Sequence, residues 1–447
     1  MTRVDVLVAG GGLAGIAAAL ACADAGLEVV LAERRSVLGG ATYSLEREGR
    51  LIDNGQHVFL RCCTEYRDLL RRIGSEGMTE LQPRLEIPLA LPGGAVRRLR
   101  RAPLPAPLHL GPVLLGLPGL SPVERLRAAS AVLALRGVDP DDPQADAKGL
   151  GEWLRERRQS TTAVHALWEL IVRPTLNLRA EDASLAMAAR VFRTGLLEGA
   201  DAGDIGWASA PLRQVHGEPA TRTLAAAGVA VRLHATVAAI ERRGDGLVAN
   251  VGGDEVGAGA VISCMPPRQA VRSLPPAALD PGTAAALGTS PILNLHVVYD
   301  RPVTRLRFAA AARGPVQWVF DRTAAAGGDG QYLAVTLSAA DELADWPTAR
   351  LRTLFEPALA DLFPAARRAR MEEFFVTRER HATFRAAPGS GRARPAARTP
   401  VAGVYLAGSW TRTGWPDTME GAVRSGRTAA AALLADRAAA PRARAAA

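Results

Sequence analysis

The sequence predicts an α/β protein in which a Rossmann-like dinucleotide-binding domain is combined with a discontinuous α+β domain. Three observations lead to this prediction. A short apolar run is followed by a glycine-rich turn and a helical pattern, a second apolar run ends on an acidic residue, and further apolar runs recur near the middle and the end of the 447 residues. Such continuous runs are typical of parallel strands that are buried on both faces. A chain of this length can also bury a second core.

The first predicted element is the strand Val4–Ala9, and the glycine-rich segment Gly10–Gly15 follows it directly. A helix is then predicted over Ile16–Gly26, closed by its terminal glycine. The segment reads GGGLAG, which is a GxGxxG motif between a strand and a helix, the context in which this motif binds a dinucleotide. A glycine-rich turn alone can be only a turn, but the complete context favours binding.

Each residue of the motif has a physical task in such a site. Gly10 permits the tight turn, Gly12 lets the backbone approach a pyrophosphate, and Gly15 lets the helix and the strand pack closely. The helix N-terminus, including Leu13 and Ala14, offers unpaired N–H groups to the phosphates. We therefore predict that these five residues bind the cofactor.

The second strand, Glu28–Ala32, is followed by Glu33, eighteen residues after Gly15. A carboxylate at this position can accept both ribose hydroxyl groups of a dinucleotide. The rest of the chain contains no second GxGxxG motif. We therefore expect one tightly held dinucleotide and no separate nicotinamide domain.

Three further segments carry a resemblance to a known family. They are DNGQHVFLRCCTEYR (Asp53–Arg67), RPTLNLRAEDAS (Arg173–Ser184) and TGWPDTMEGAVRSG (Thr413–Gly426). Together with the glycine motif, they make the sequence similar to the FAD-dependent amine oxidases and phytoene or carotenoid desaturases. Within that family the chain resembles the hydroxysqualene dehydroxylases, also called squalene-associated FAD-dependent desaturases, over essentially its whole length.

The resemblance implies that the cofactor is FAD, with its ADP half at Gly10–Glu33 and its adenine at the backbone near Val237. A helix N-terminus near Met419 suits negative charge on the pyrimidine side of a reduced flavin. The other cofactor-binding residues that the resemblance implies are Arg34, Gly39, Gly40, Gly408, Ser409, Thr418, Met419, Glu420 and Gly421.

Two positions depart from the family pattern. Ala41 stands where such flavoproteins usually have Arg after the paired glycines, and Ser409 stands where they usually have Asp after the last strand. A serine can still make one hydrogen bond to the ribityl chain, whereas an alanine cannot replace a guanidinium. We expect these positions to affect the affinity and redox tuning of the flavin.

The resemblance implies reductive removal of the allylic hydroxyl group of hydroxysqualene, which gives squalene for hopanoid synthesis. Loss of water leaves an allylic cation, to which reduced flavin can deliver hydride, so the site needs a proton donor and a dry tunnel. His57 is the leading acid candidate because its pKa allows it to carry a proton near neutrality, and Asp53 and Gln56 are its polar neighbours. Asp417 and Glu420 are alternatives, although acids in a first helical turn are often caps and a lone histidine is often structural.

Two other functions stay open. The same scaffold could support a carotenoid-type desaturase that uses the flavin in the oxidative direction. It could also be a prenyl-lipid carrier that has lost flavin chemistry, for which Ala41 and Ser409 leave room. The sequence does not identify the electron donor.

Composition argues against several other classes. The net charge is +9, but aromatic residues make up only 5% of the chain, so we expect no nucleic-acid interface with stacking side chains. Cys22, Cys62, Cys63 and Cys264 lack the spacing of a disulfide scaffold or a metal module. We predict reduced core thiols in a cytoplasmic protein, and no metal site.

The segment Ala102–Val123 carries no formal charge apart from protonation of His109, and it follows four arginines within positions 97–101. It is long enough to cross a bilayer, which takes about 20 apolar residues, but its prolines exclude a spanning helix. It is either an irregular core segment or a lip that dips into lipid while the arginines meet anionic headgroups.

A long-chain isoprenoid substrate favours the lip, because transfer from lipid to water costs on the order of 0.8 kcal/mol per methylene-sized group. We therefore expect a peripheral location at the inner face of the cell membrane. The flavin-binding pieces are separated in the sequence, so the chain leaves the dinucleotide domain and returns twice. The predicted division is 1–73, 211–273 and 389–435 for the FAD-binding domain, 74–210 and 274–388 for the substrate-binding domain, and 436–447 for a disordered tail.

Overall fold

The structure is a computed structural model that describes residues 2–244 and 246–444. In this part of the chain the strands are β1 (Thr2–Ala9), β2 (Val29–Ala32), β3 (Ser44–Arg47), β4 (Arg50–Asp53), β5 (Val58–Leu60), β6 (Thr79–Leu81), β7 (Glu86–Ala90), β8 (Val96–Arg100), β9 (Ile205–Ala208), β10 (Ala230–Arg232), β11 (Val237–Arg243), β12 (Gly246–Val251), β13 (Asp254–Ser263), β14 (Ser290–Tyr299), β15 (Phe308–Ala311), β16 (Trp318–Asp321), β17 (Gln331–Leu337), β18 (Met371–Thr383) and β19 (Val404–Leu406).

The α-helices of the same residues are α1 (Leu13–Asp24), α2 (Thr64–Arg72), α3 (Gly111–Gly116), α4 (Pro122–Ala134), α5 (Pro143–Ala147), α6 (Leu150–Glu156), α7 (Thr161–Ala163), α8 (Glu169–Leu176), α9 (Leu185–Phe192), α10 (Glu218–Ala226), α11 (Pro267–Ser273), α12 (Thr283–Leu287), α13 (Thr323–Ala326), α14 (Thr348–Leu362), α15 (Ser390–Ala393) and α16 (Met419–Arg444). Short turns of 3₁₀-helix occupy Glu76–Met78, Pro92–Gly94, Leu108–Leu110, Leu135–Gly137 and Pro364–Arg368, and π-helical turns occupy Val164–Trp168, Arg193–Leu197 and Arg213–Gly217.

The first large sheet carries the glycine-rich turn. Its strands lie in the order β10-β2-β1-β13-β12-β11, and β19 also pairs with β13. β1 runs parallel to β2 and β13, and β13 runs parallel to β19. The register places Ala9, Ser263 and Leu406 side by side at the carboxyl ends of three strands. Ligands of parallel α/β sheets bind at this edge, so the turns after these strands face one site.

Helix α16 lies directly against helix α1 on this sheet. The contact is so close that a Cβ on Gly426 would lie 2.1 Å from the carbonyl oxygen of Ala14. Only a glycine permits this approach of two helix backbones. The contact brings the start of α16 toward the N-terminus of α1, although the two helices are at opposite ends of the chain.

The second large sheet has the order β18-β14-β17-β16-β15-β7-β8. Helix α14 covers it with the buried side chains of Leu351, Phe355 and Leu359. The sheet also supports the loop after β4, because Asn294 Nδ2 and Thr377 Oγ1 both donate to the carbonyl oxygen of Asn54, over 2.9 and 2.8 Å. Side chains of this sheet therefore fix the polar segment that the sequence singled out.

The helices between the sheets form an apolar core. Trp153 and Trp168 pack edge to face with ring centroids 6.2 Å apart, and Phe192 lies 5.0 Å from Trp168. The same cluster of contacting apolar side chains includes Met265 and Trp410, which follow β13 and β19. One continuous core therefore reaches from the helices to the carboxyl edge of the first sheet.

The predicted α/β class, with a second α+β part, is confirmed, whereas the predicted domain boundaries stay a prediction. Helix α16 runs to Arg444, so the segment 436–444 is helical where we predicted a disordered tail; residues 445–447 lie outside the described residues. The alanine-rich sequence explains this helix, since alanine has the highest helix propensity. The segment Ala102–Val123 forms short helical turns and α3, and none of the helices in the described ranges is long and apolar enough to cross a membrane.

Candidate cofactor-binding and active site

The turn after β1 is packed too closely to hold side chains. A Cβ on Gly15 would lie 1.8 Å from the carbonyl oxygen of Gly10, and a Cβ on Gly40 would lie 2.6 Å from the Cα atom of Gly12. Gly39 pairs with Gly12 as an isolated parallel bridge. The structure therefore brings the predicted glycines of both turns together at the carboxyl end of β1.

Helix α1 begins at Leu13 without a side-chain cap and without an acidic residue in its first turn. The N–H groups of Leu13, Ala14 and Gly15 have no acceptor within the helix itself. An anion such as a pyrophosphate satisfies such groups and is also stabilised by the helix dipole. This end of α1 therefore fits the pyrophosphate of the predicted FAD.

Glu33 is buried directly after β2. Its Oε2 accepts a hydrogen bond from Gly11 N over 2.7 Å, and its Oε1 accepts one from Arg35 N over 2.8 Å. Each carboxylate oxygen has a second lone pair, so both can still accept a ribose hydroxyl group. Ala235 N donates to the backbone carbonyl oxygen of Glu33 over 2.8 Å, which joins the segment just before β11 to the residue that follows β2. The contact of Val237 with the adenine stays a prediction.

Arg35 is a site residue that the sequence pattern did not single out. Its Nη1 donates to the carbonyl oxygen of Gly40 over 2.7 Å, and its guanidinium lies 4.2 Å from the ring centroid of Tyr43. The cation therefore lies at the paired-glycine turn, next to Ala41, where the family usually has an arginine. Arg34, which was predicted instead, is exposed. Arg35 follows Glu33 by two residues, and residues two apart along extended backbone point to the same face. This alternation favours Arg35 over Arg34 as the residue on the Glu33 side.

The turn after β19 closes the other side of the site. Gly408 N donates to Ser425 Oγ over 2.7 Å. Thr418 Oγ1 accepts from Gly421 N over 3.1 Å and so caps α16. A Cβ on Gly421 would lie 3.7 Å from the Cβ atom of Ser409. The structure thus brings Gly408, Ser409, Thr418 and Gly421 together, as the resemblance implied.

A buried arginine that the sequence did not reveal holds this turn. Arg394 donates to the carbonyl oxygens of Thr411 and Ser409 and to Thr413 Oγ1, each over 2.9 Å. Burial lowers the pKa of Arg394 to about 10, so it stays cationic at neutral pH. Its segment is an irregular loop in which no periodic pattern could mark a buried side chain.

The side chain of Glu420 caps the neighbouring helix α2 and not its own helix, α16. Its carboxylate accepts from Tyr66 N over 2.8 Å and from Glu65 N over 3.3 Å at the start of α2, and Arg424 Nε donates to it over 2.7 Å. The side chain is therefore occupied, which leaves its backbone for the predicted cofactor contact. Met419 packs half-buried against the core under the first sheet.

Asp53 is held by a buried ion pair. Its Oδ2 accepts from Arg322 Nη2 over 2.8 Å, and the two side chains are only 4% and 7% exposed. Its Oδ1 accepts from Ser44 Oγ over 2.7 Å and from Leu212 N over 2.8 Å. Both oxygens are thus bonded within the protein, an arrangement that suits a residue fixing the loop. The catalytic role of Asp53 stays a prediction.

His57 lies deep in the protein but keeps some accessible surface. Its Nδ1 is 3.1 Å from the carbonyl oxygen of Gly55, so donation to that oxygen leaves Nε2 as an acceptor. Burial lowers the pKa of His57, against the opposite effects of the Gly55 carbonyl, Asp53 and Glu379. The neutral imidazole is therefore favoured at neutral pH, which suits a hydrogen-bond acceptor better than an acid.

Asp417 shows the opposite shift. Burial raises the pKa of its carboxyl group, against the lowering effects of Ser409, the backbone N–H of Phe384 and Arg394. Its Oδ2 accepts from Phe384 N over 2.8 Å. A carboxyl group with a raised pKa keeps its proton closer to neutral pH, as a general acid requires.

One buried polar atom at this edge has no hydrogen-bond partner among the described residues. It is Ser263 Oγ, at the end of β13 between Ala9 and Leu406. Buried polar atoms are almost always paired, so this hydroxyl group is available to a ligand atom. With the free N–H groups of α1 and the Glu33 carboxylate, the residues present fit FAD.

A sequence profile described as flavin-containing amine oxidoreductase matches residues 13–434. The chain is 31% identical over 445 residues to the hydroxysqualene dehydroxylase of Rhodopseudomonas palustris, covering 96% of this chain and 98% of that protein. It is 28% identical to the hydroxysqualene dehydroxylase of Sinorhizobium fredii, covering 97% and 99%. It is 24% identical to the zeta-carotene desaturase of Arabidopsis thaliana, covering 96% and 84%.

Solved structures of flavoenzymes share the fold. A triple mutant of putrescine oxidase superposes with a TM-score of 0.75 at 21% identity, covering 97% of this chain and 99% of that one. Cyclohexylamine oxidase from Brevibacterium oxydans gives a TM-score of 0.71 at 22% identity, with the same coverage. At this level of identity the likeness shows the fold alone.

Proposed function

The chain belongs to the flavin-containing amine oxidoreductase family, and from this premise we propose that it removes the allylic hydroxyl group of hydroxysqualene reductively to give squalene. Family membership confirms the predicted fold, the FAD cofactor and the class of FAD-dependent oxidoreductase. The named relatives, which include hydroxysqualene dehydroxylases and carotene desaturases, indicate a role in isoprenoid metabolism.

The observation that carries the proposal is 31% identity to a hydroxysqualene dehydroxylase over nearly the full length of both chains. Two of the segments that carry the resemblance, Asp53–Arg67 and Thr413–Gly426, also contact each other, because Glu420 caps the helix that contains Tyr66. The two segments are therefore adjacent in the fold, which supports the proposal.

In the proposed reaction the C–O bond of the substrate breaks, the hydroxyl group takes up a proton and leaves as water, and a hydride forms the new C–H bond at the allylic carbon. Reduced FAD supplies this hydride when it is bound. The chain must deliver the proton, exclude water and tolerate the developing positive charge. Each turnover also requires two electrons from a separate donor.

We assign the proton donor to Asp417 rather than to His57. The raised pKa of Asp417 keeps the carboxyl group protonated more readily, whereas burial favours the neutral form of His57. With Nδ1 engaged by Gly55, His57 would orient the leaving hydroxyl group through Nε2. Asp53 and Arg322 would position this loop.

The proposal includes a membrane surface as the source of substrate, at the cytoplasmic side. A long-chain isoprenoid partitions almost completely into lipid, since each methylene-sized group contributes about 0.8 kcal/mol. The enzyme therefore has to meet the substrate at a bilayer.

Anaerobic incubation of the reduced flavoprotein with hydroxysqualene, followed by lipid analysis, tests the proposal. We expect squalene, and we expect Asp417→Asn to lower turnover by about 10²–10⁴-fold at unchanged flavin content, with a smaller loss in His57→Gln. Absence of squalene would contradict the proposal. Desaturation of phytoene by the oxidised protein would favour a carotenoid desaturase, and a colourless protein with bound lipid would favour a carrier.

A further inference from the structure

The large apolar side chains that are exposed in the described part of the chain are concentrated in one stretch. Val58 is the exception, and the others lie between positions 96 and 133. Six of them form what we call the apolar face: Leu104, Leu108, Leu115, Val123, Leu126 and Leu133. Single exposed leucines are ordinary on protein surfaces, but a group of them marks an interaction site.

The apolar face comes from adjacent elements. Leu104 and Leu108 precede α3, Leu115 lies in α3, and α3 contacts α4, which carries the other three residues. The exposed fractions of Leu108, Leu115 and Leu126 are 64%, 69% and 71%. These side chains are therefore almost fully available to a partner.

The structure extends this surface beyond the segment Ala102–Val123 that the sequence singled out. Leu126 and Leu133 lie on the exposed side of α4, whereas Ala128 and Ala131 are buried on its other side. A surface helix of a soluble protein normally turns a polar side to water. The outer side of α4 instead presents three large apolar side chains beside Arg127 and Ser130, a combination that suits the boundary between lipid and water.

Unpaired arginines flank the apolar face. Arg97, Arg127 and Arg136 are exposed, and none of them lies within 4.0 Å of a carboxylate oxygen in the described ranges, although Arg127, after the hydrogen bond from Ser160, contributes to lowering the pKa of Glu124 on the same helix. Their neighbours Arg98 and Arg100 both contact Glu86. Three cations around an apolar surface match a layer that combines acyl chains with anionic headgroups.

We propose that the apolar face docks on a bilayer that contains anionic lipids. A second copy of the chain is a poorer occupant, because two-fold pairing would bring the three flanking arginines of each copy together, with Glu124 as the acidic residue of α4, in a chain of net charge +9. The purpose of docking, which is the collection of a hydrocarbon substrate, rests on the proposed function. The binding to the bilayer does not depend on it.

The core beneath the apolar face is continuous with apolar side chains near the predicted cofactor site. Leu117, Leu120 and Ala128 are buried under it, and they belong to the same apolar cluster as Met265 and Trp410. Trp410 Nε1 donates to the carbonyl oxygen of Met265 over 3.2 Å, at the turn after β19. Contacting apolar side chains therefore extend from the apolar face to the carboxyl edge of the first sheet.

The first test removes the apolar contacts in the full-length flavoprotein. Leu108→Ser, Leu115→Ser and Leu126→Ser are combined, and binding is measured by flotation with vesicles of phosphatidylcholine and phosphatidylglycerol. We expect the wild type to float and the ratio of bound to free protein to fall by at least a hundredfold in the variant. Flavin absorbance and circular dichroism should not change. Retained flotation would overturn the proposal.

The second test removes the charges. We expect Arg97→Gln, Arg127→Gln and Arg136→Gln together to lower binding about tenfold or more on anionic vesicles, and to leave any binding to pure phosphatidylcholine unchanged. The control makes the same change of net charge at exposed arginines elsewhere, namely Arg222→Gln, Arg272→Gln and Arg305→Gln. Equal loss in both variants would overturn the role of the flanking arginines.

Two further outcomes separate the inference from the proposed function. A concentration-dependent dimer that the leucine variant loses, in a protein that binds no vesicle, would assign the apolar face to a second copy and overturn the inference. Vesicle binding without turnover of detergent-dispersed hydroxysqualene would support the inference while contradicting the proposed reaction.

Discussion

The dinucleotide turn at Gly10–Glu33 and the polar loop at Asp53–His57 are built by opposite means. The turn consists of touching backbones and one helix N-terminus, and Glu33 is its acidic side chain. The loop is fixed by side chains from remote segments, above all by Arg322. A site made of backbone depends on the absence of side chains, whereas a site made of buried side chains depends on the presence of every partner.

The largest expected effect comes from a substitution that disrupts the backbone-built turn. Gly15→Ala would put a Cβ 1.8 Å from the carbonyl oxygen of Gly10, so β1 and α1 cannot keep their contact. We expect little soluble protein and no flavin absorbance in what remains. Gly77→Ala is the control, because a Cβ there meets nothing within 4 Å. A flavin-loaded Gly15→Ala protein of normal stability would show that the turn is looser than described.

The next largest effect comes from a substitution that removes a partner of the polar loop at Asp53–His57. Arg322→Met leaves the buried Asp53 carboxylate without its cation, which costs about 3–5 kcal/mol of unfolding free energy. The double variant with Asp53→Asn should recover part of this loss. Arg352→Met, in an exposed pair with Glu356, should cost under about 0.5 kcal/mol. Urea unfolding measures all three, and equal losses in both single variants would contradict the prediction.

A smaller effect concerns the acidic side chain of the turn. Glu33→Ala removes the acceptor for the ribose, and a charged hydrogen bond contributes roughly 1.5–3 kcal/mol. We expect FAD to bind about ten to a hundred times more weakly in a titration of the flavin-free protein. Arg222→Ala, at an exposed position outside the predicted cofactor site, should leave the affinity within about twofold. Unchanged affinity in Glu33→Ala would contradict the assignment of Glu33 as the acceptor for the ribose.

The smallest expected effect is a dependence of the free energy of unfolding on pH, which arises from buried side chains and not from the backbone-built turn. Burial lowers the pKa of His216 and of His296 to about 3, while an unfolded histidine titrates near 6.5. The contribution of each neutral histidine to the free energy of unfolding is therefore fully present above pH about 6.5. It is lost as the pH falls toward about 3, by at most about 1.4 kcal/mol per pH unit for each histidine. Replacing both by glutamine should flatten the slope of unfolding free energy between pH 6 and 5; the same slope in both proteins would contradict this.

Much of the dinucleotide turn could be predicted, because its residues act on near neighbours in the sequence. The tasks of Gly10, Gly12 and Gly15 follow from their spacing alone. The side-chain directions after β2 were not predicted: Arg34 is exposed, whereas Arg35 contacts the paired-glycine turn. The role of Arg34 in cofactor binding stays a prediction.

The polar loop could be located but not explained, because its partners are far away in the sequence. Arg322 is 269 positions from Asp53, and Glu420 is 354 positions from Tyr66. Composition and periodicity carry no information on such pairs. The opposite pKa shifts of His57 and Asp417 were also not predictable, because burial depends on the finished fold.

The contact between Gly426 and Ala14 joins the last helix to the first, and β19 joins the same sheet as β1. During translation the emerging polypeptide therefore cannot complete this unit until β19 and α16 have left the ribosome. We expect pulse-labelled chains truncated before position 404 to be digested by protease even with FAD present, and released full-length chains to become resistant.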